Sequence, residues 1–408
     1  MKIAIFTDSY FPQINGVSFV VRNHAKSLIE RGHEVEIFAP MSDEDCEVDK
    51  EIPTHRFKSI KFAPYPDYDI AFPWIPKVTK YISRGDFNIV HCHTPFTMGL
   101  TGMYIAKRLN AGKAISSKLN KIRKKLYEPK KITLIGTFHT VISDFGHILK
   151  PVPERLTGKA AEKFGTKFYN RMHSIITPSH HTKMLLEGFG VKRPINVLSN
   201  GIDLGLFKPD VGGAEVIRER YGINDKPLVL HVGRISKERN VEEFVRAAPL
   251  ILREIPDARF LVVGGGPHLE YLKELAVKLN LGDYFKFTGR APQEDLIAAY
   301  TTADVFVTAS TIDTQGLVVL ESLACGTPVV AANAKALPEI AVENETGLLF
   351  EPGDIAGLAA QVVKMLRDQE MREKMSENGL NLVKSHSLEK SVDRLVEIYE
   401  SAVEDNMR

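Results

Sequence analysis

Four residues in the second half of the chain have the types and spacing to hold a phosphorylated sugar. In GRISKERN (233–240), Arg234 and Arg239 follow a glycine that closes an apolar run. Two guanidiniums on one strand-end loop can chelate phosphate oxygens through planar, charge-assisted hydrogen bonds, although either Arg alone reads as part of a solvated basic loop. In STIDTQGLVVLESLACGTPVV (310–330), seven residues separate Asp313 on a loop from Glu321 inside a helical pattern. Each carboxylate can accept from a pair of vicinal hydroxyls, as sugars present them. The helix that begins near Leu317 leaves the amides of Gly316, Leu317 and Val318 to face a phosphate. An acid inside LVVLESLA is expensive to bury unless it is paired or bound to a ligand. The bland alternative is a helix-dipole acid with a half-exposed acid near it. VVGGGP (262–267), with Gly265 at its centre, precedes another helix. Glycines there permit close backbone approach at an anion-favouring helix start, but taken alone they also read as turn residues.

The first half offers histidines. HCHTPF (91–96) places His91 and His93 at alternate positions near a strand end, with Thr94 next, and GTFHT (136–140) places His139 after another strand. One such histidine reads as a packed or surface residue, whereas three at strand ends read as a site. DSYFPQINGVS (8–18) follows the first strand, and its Gly16 opens a helix whose amides can face a phosphate. The loop lacks G-x-G-x-x-G, which weakens a dehydrogenase reading. Asp67-Tyr68-Asp69 lies in a proline-rich stretch with no long strand before it and reads as a loop. His/Asp metal spacing is absent elsewhere, so neither a catalytic metal nor another cofactor is expected.

The elements that position these residues follow a βαβ rhythm. KIAIFT (2–7), a helical pattern from about 17 to 31, EVEIFAP (34–40), FNIVHCH (87–93), KITLIGTFH (131–139), SIITPS (174–179) and INVLSN (195–200) make the first series. After the Gly/Pro/Asp-rich seam 200–213 the rhythm restarts with PLVLHVG, ARFLVVGGG, YFKFTG, ADVFVTAS and TPVVAA. Apolar runs alternating with helices predict parallel sheets covered on both faces, with ligands beyond the carboxyl ends of the strands. The chain of 408 residues is long enough for two domains, predicted at 1–200 and 201–387, with a charged helix 388–408 packing back on the first. A net charge of +2 gives no reason to expect nucleic acid, and the three separated cysteines suit a reducing compartment. The N-terminal apolar run is too short for a signal peptide, and no window approaches a membrane span.

Together these motifs resemble family 4 of the retaining glycosyltransferases, over nearly the whole chain. The Asp313/Glu321 spacing is similar to the family's E-x7-E motif, and the GR-x5-N loop and GGGP turn match as well. The resemblance implies an α/β, GT-B fold: two doubly wound Rossmann-like domains facing a central cleft. It implies that Arg234 and Arg239 hold the donor diphosphate, Glu321 the ribose and Asp313 the transferred sugar. His139 would contact the donor sugar or its phosphate, and His93 and Thr94 would line the acceptor side. The leaving phosphate would help deprotonate the acceptor. The sequence departs from the family at two points, Asp for Glu at 313 and Arg for Lys at 239, which leaves the sugar open.

Two basic stretches bear on the acceptor. Residues 113–131 carry eight Lys or Arg against Glu128, with Lys118, Lys121 and Lys125 beside an apolar stripe. Residues 154–172 space Arg155, Lys159, Lys163, Lys167 and Arg171 four apart beside Leu156, Phe164 and Phe168. Basic amphipathic helices lie on anionic membranes, although each also reads as a solvated helix face. With the TQG, NGVS and TFHT segments, which look most like diacylglycerol glucosyltransferases, the reading is a hexosyl transfer from UDP-glucose or a similar UDP-sugar to a membrane lipid such as diacylglycerol. The competing readings are a soluble phosphorylated or polyol acceptor, an epimerase of the same fold, and a non-catalytic nucleotide-sugar-binding subunit. The expected place is cytoplasmic, with a peripheral position on the inner face of the cell membrane left open, as is the oligomeric state.

Overall fold

The computed structural model describes residues 1–13, 15–41, 48–61, 69–112, 129–141 and 154–408, the side chains of 154–157 excepted. The chain divides into two compact units, Met1–Ser199 with Glu389–Arg408, and Asn200–Leu388.

The first unit holds β1 (Lys2–Phe6), β2 (Glu34–Pro40), β3 (Thr54–Phe57), β6 (Ile89–Cys92), β7 (Thr133–Thr137), β8 (Ser174–Thr177) and β9 (Ile195–Val197). They form one parallel sheet in the order β3-β2-β1-β6-β7-β8-β9. β1, β6, β7 and β8 are buried almost throughout, which is why they appear in the sequence as unbroken apolar runs rather than alternating ones. Phe6 stacks on Phe38 at 4.5 Å between β1 and β2. The helix Gly16–Glu30 is capped by the Asn15 side chain and buries Val21, Ala25 and Leu28 on one stripe. Gly32 ends it with a positive φ of 81°. A two-stranded antiparallel hairpin, β4 (Ser59–Lys61) and β5 (Asp69–Ala71), lies outside the main sheet. Asp69 therefore begins a strand rather than lying in a loop, while Asp67 and Tyr68 fall outside the described residues. The helix Leu388–Met407 joins the first unit through Arg31–Asp393 (2.7 Å), Lys131 to the Met407 carbonyl (2.7 Å) and Asn406 to Thr133 (3.2 Å).

The second unit contains β10 (Leu228–Val232), β11 (Arg259–Val263), β12 (Phe285–Gly289), β13 (Val305–Thr308), β14 (Val329–Ala332) and β15 (Gly347–Phe350). Its parallel sheet runs β12-β11-β10-β13-β14-β15, the order of a doubly wound dinucleotide-binding domain with its reversal between β10 and β13. Leu230, Leu261, Phe306 and Val330 fill the core, with Phe244 packed edge-on against Phe260. Both units are therefore Rossmann-like, and in each the strand order reverses beside the first strand.

Candidate functional site

In the second unit the reversal point gathers the loop after β10 and the loop after β13. Asn240, held at φ 52°, donates from Nδ2 to the Ala309 carbonyl (3.3 Å) and to Thr311 Oγ1 (3.2 Å), and so pins the two loops together. Arg239 and Asp313, assigned from sequence to different parts of a ligand, face each other. Arg239 Nη1 donates to Asp313 Oδ1 at 2.9 Å and Oδ2 at 3.1 Å, with the carboxylate side chain only 10% exposed. This fixes the carboxylate and leaves Nε and Nη2 of the same fork with no acceptor among the described residues. Arg234 sits half-buried at the start of the loop.

The glycines of VVGGGP divide by physical role. A Cβ at Gly264 would lie 1.8 Å from the Gly233 carbonyl oxygen, and one at Gly266 would lie 2.2 Å from that of Ile235. Amides of Gly233, Ile235 and His268 tie the loops after β10 and β11 into a continuation of the sheet. Two of the three glycines thus answer to loop–loop contact. Gly265 does not, because a Cβ there would make only ordinary contact with Arg290 at 3.4 Å.

Gly316, at φ 93°, starts the helix Leu317–Ala324, and no side chain caps it. The amides of Leu317 and Val318 have no described acceptor, so the helix start is open to an anion. One turn in, Glu321 Oε2 accepts from the Tyr300 hydroxyl at 2.7 Å. Burial pushes its carboxyl up to about 7, and the Tyr300 hydrogen bond draws it partly back. The residue as a whole is only partly covered, so the carboxyl sits in a nearly apolar wall close to the surface. Sequence reasoning missed Tyr300, which lies 21 residues away on another helix. It also missed His231, whose Nδ1–H donates to the Val307 carbonyl (2.9 Å) while its buried Nε2 has no partner. Burial lowers that imidazole to about 4.

In the first unit the reversal lies between β1 and β6. Asp8, buried at the end of β1, accepts from Thr94 Oγ1 (2.6 Å), Thr97 Oγ1 (2.6 Å) and the Met98 amide (2.8 Å). It thereby caps the helix Thr97–Asn110 from a neighbouring strand and fixes Thr94, a candidate from the sequence, in a structural role. Burial raises the Asp8 carboxyl despite these donors.

His91 and His93, two residues apart, point to one face of β6, with ring centroids 4.1 Å apart. His93 Nδ1 lies 2.9 Å from His139 Nε2. Burial holds both rings well below the ordinary imidazole range, His139 at about 3, so both are neutral and only one can donate. His93 Nε2 is buried without a partner. An orphaned lone pair is cheaper than an orphaned N–H, which puts the proton of His93 on Nδ1 and directs it to His139. His91 bonds Tyr399 Oη (2.7 Å) through Nδ1 and Thr137 Oγ1 (2.6 Å) through Nε2. The buried Tyr399 hydroxyl has no other described acceptor, so it donates to His91, and His91 donates onward to Thr137. Gly16 does start a helix, but the Asn15 side chain takes the Ser18 amide, so only the first two amides stay open.

Lys159, Lys163 and Lys167 are exposed on the helix Glu154–Tyr169, with Phe168 turned inward and Phe164 outward. Lys118, Lys121 and Lys125 lie outside the described residues. Among the described residues no helix is long and apolar enough to cross a membrane, and no group of three or more His, Cys, Asp or Glu could hold a metal ion.

Two family models match the chain, Glycosyltransferase Family 4 over residues 14–206 and Glycosyl transferases group 1 over residues 214–382. The alpha-monoglucosyldiacylglycerol synthase of Streptococcus pneumoniae is 31% identical over 363 residues, covering 88% of this chain and 77% of that protein. The synthase of the same name from Acholeplasma laidlawii is 24% identical over 426 residues, covering 100% of this chain and 98% of that one. Among solved structures, HepE from Anabaena in complex with UDP and glucose matches with a TM-score of 0.76 at 18% identity, covering 98% of this chain and 100% of that one. At that identity the likeness is one of fold.

Proposed function

The chain belongs to glycosyltransferase family 4, whose members are retaining hexosyltransferases, and on that premise we propose that it moves a hexosyl group from a UDP-sugar to a hydroxyl of a membrane lipid. The observation that carries the donor half is the convergence at the β10/β13 reversal: a fixed Arg239–Asp313 pair, an uncapped helix start at Gly316 and a largely buried Glu321 whose carboxyl burial raises to about 7. In this reading Arg234 and the unoccupied nitrogens of Arg239 neutralise the diphosphate, and the Leu317 and Val318 amides add donors to it. Glu321 accepts from the ribose hydroxyls. Asp313, oriented by Arg239, accepts from hydroxyls of the sugar. Gly265 permits the backbone to approach the donor without a side chain in the way.

The bond from the anomeric carbon to the diphosphate breaks and one from that carbon to the lipid oxygen forms on the same face. The lipid hydroxyl proton passes to a phosphate oxygen of the departing UDP. No carboxylate nucleophile is invoked, and the two guanidiniums take the neutralising role that a metal ion fills elsewhere. His139, neutral across the physiological range, serves as a hydrogen-bonding partner of the sugar or phosphate rather than as a cation. His93, bonded to it, lines the acceptor side.

The lipid acceptor is supported by likeness to two proteins named alpha-monoglucosyldiacylglycerol synthase. The test offers UDP-glucose with vesicles containing diacylglycerol. The expected product is a glucosyl lipid with the α configuration of the donor, formed with stoichiometric UDP. Transfer to soluble acceptors alone would reject the lipid reading, and UDP release without any glycoside would reject the transfer itself.

A further inference from the structure

The β4–β5 hairpin is turned the wrong way round for a protein in plain water. Its register pairs Ser59 with Ala71, Ile60 with Ile70 and Lys61 with Asp69, and the Phe72 amide extends the ladder to the Lys58 carbonyl at 2.8 Å. Directly opposed residues share a face, and alternate residues along each strand do too. One face therefore carries Ser59, Lys61, Asp69 and Ala71, and Ala71 is buried in the core of the first unit. The opposite face carries Lys58, Ile60, Ile70 and Phe72. Ile60 is 58% exposed and Phe72 57%, and Trp74, two residues on, is 67% exposed.

Among the described residues of the hairpin and the helix that follows it, the exposed charge is one-sided. Lys58, Lys61, Lys77, Lys80 and Arg84 are exposed, and none has a carboxylate partner among the described residues. The helix Ile75–Arg84 turns Val78 and Ile82 inward and its basic residues outward. The one acid among residues 58–61 and 69–84 is Asp69, which accepts from Gln13 Nε2 at 2.6 Å. That bond ties the hairpin to the loop after β1, three residues before Gly16.

We propose that this face, Ile60, Ile70, Phe72 and Trp74 rimmed by Lys58, Lys77 and Lys80, docks on an anionic lipid surface. An exposed Trp and Phe beside lysines with no carboxylate partner among the described residues is the chemistry of a bilayer interface: rings at headgroup depth, ammonium groups against lipid phosphates, stems lying on apolar surface. A second copy of the chain fits poorly, because a two-fold contact would set these cations against themselves. The inference builds on the lipid-acceptor reading for its purpose, and it moves the contact away from the basic helix Glu154–Tyr169.

Trp74 is the only tryptophan in the chain, so the face carries its own reporter. The experiment adds vesicles of phosphatidylcholine with phosphatidylglycerol, brominated in the acyl chains, to the full-length protein and records Trp emission. Docking through this face predicts a blue shift with quenching on anionic vesicles and little of either on pure phosphatidylcholine. Ile60→Ser with Phe72→Ser, both exposed sites, should abolish both signals without changing thermal stability. Lys77→Gln with Lys80→Gln should weaken vesicle affinity about 30-fold, at ~1 kcal/mol per lysine. Sedimentation with anionic vesicles while Trp emission stays unchanged would overturn the proposal. So would emission that is already blue-shifted and unquenchable without vesicles, or that depends on protein concentration, since another part of the chain or a second copy would then cover the face. Glycosylation of short-chain diacylglycerol in detergent separates the two ideas. If the Ile60/Phe72 variant keeps that activity and loses it on vesicles, the docking stands; if wild type docks but glycosylates no lipid, only the acceptor reading falls.

Discussion

Glu321 gives the sharpest physical prediction. In the unfolded chain its carboxyl ionises near 4.5, but in the folded protein burial delays this to about 7. Between those values the folded state holds the proton more tightly, so stability falls as pH rises through the window and levels off above it. A shift from 4.5 to about 7 corresponds to ~3 kcal/mol, which the partial exposure of Glu321 reduces to ~1–2 kcal/mol. Glutamine keeps the shape, stays neutral and still accepts from the Tyr300 hydroxyl. Glu321→Gln should therefore unfold later than wild type above pH 7, by ~3–6 °C for a unit of this size, and match it near pH 4. Thermal unfolding of both proteins from pH 4 to 8.5, without donor, measures the difference. Curves that stay parallel between pH 4.5 and 7 would refute the claim that the carboxyl is held neutral by its surroundings. The same proton opposes ribose binding, so UDP affinity of the wild type should fall more steeply than that of the Gln variant as pH drops below 7, the remaining fall in both coming from protonation of the UDP phosphate at about pH 6.

Other perturbations probe the geometry more locally. Arg239→Ala, Asp313→Ala and the double variant should show a coupling of ~1–3 kcal/mol in thermal stability; additive effects would mean that the pair does not orient the carboxylate. Gly264→Ala should unfold or fail to accumulate, because its Cβ meets backbone, whereas Gly265→Ala should fold normally and lose UDP affinity; equal stability of the two would contradict the loop contact. Tyr399→Phe should cost ~1–2 kcal/mol of stability by orphaning His91 Nδ1 and should lower turnover more than donor affinity, and unchanged kinetics would remove the C-terminal helix from any part in positioning the histidines.

The central strands were legible because parallel, doubly covered strands must be continuous apolar runs, as KIAIF and FLVV are. The helix starts at Gly16 and Leu317 were legible through their flanking glycines and polar loops. What stayed hidden depends on register between distant segments. Arg239 could be assigned to a phosphate from its type, but not its bond to Asp313, 74 residues on. Tyr300 against Glu321 and Tyr399 against His91 carry no local signal at all. The role of Asp8 as a cap from a neighbouring strand was invisible for the same reason. The hairpin escaped because three-residue strands flanked by prolines fall below the length at which alternation can be recognised. Its apolar outward face inverts the pattern on which such recognition rests.

In the proposed function the donor is held by the loops after β10 and β13 and by the helix Leu317–Ala324. Calorimetric titration of UDP into Arg234→Ala and His139→Ala beside wild type tests it most directly. UDP affinity should collapse in the first and be nearly preserved in the second. Undiminished UDP binding by Arg234→Ala, with loss in His139→Ala instead, would contradict it.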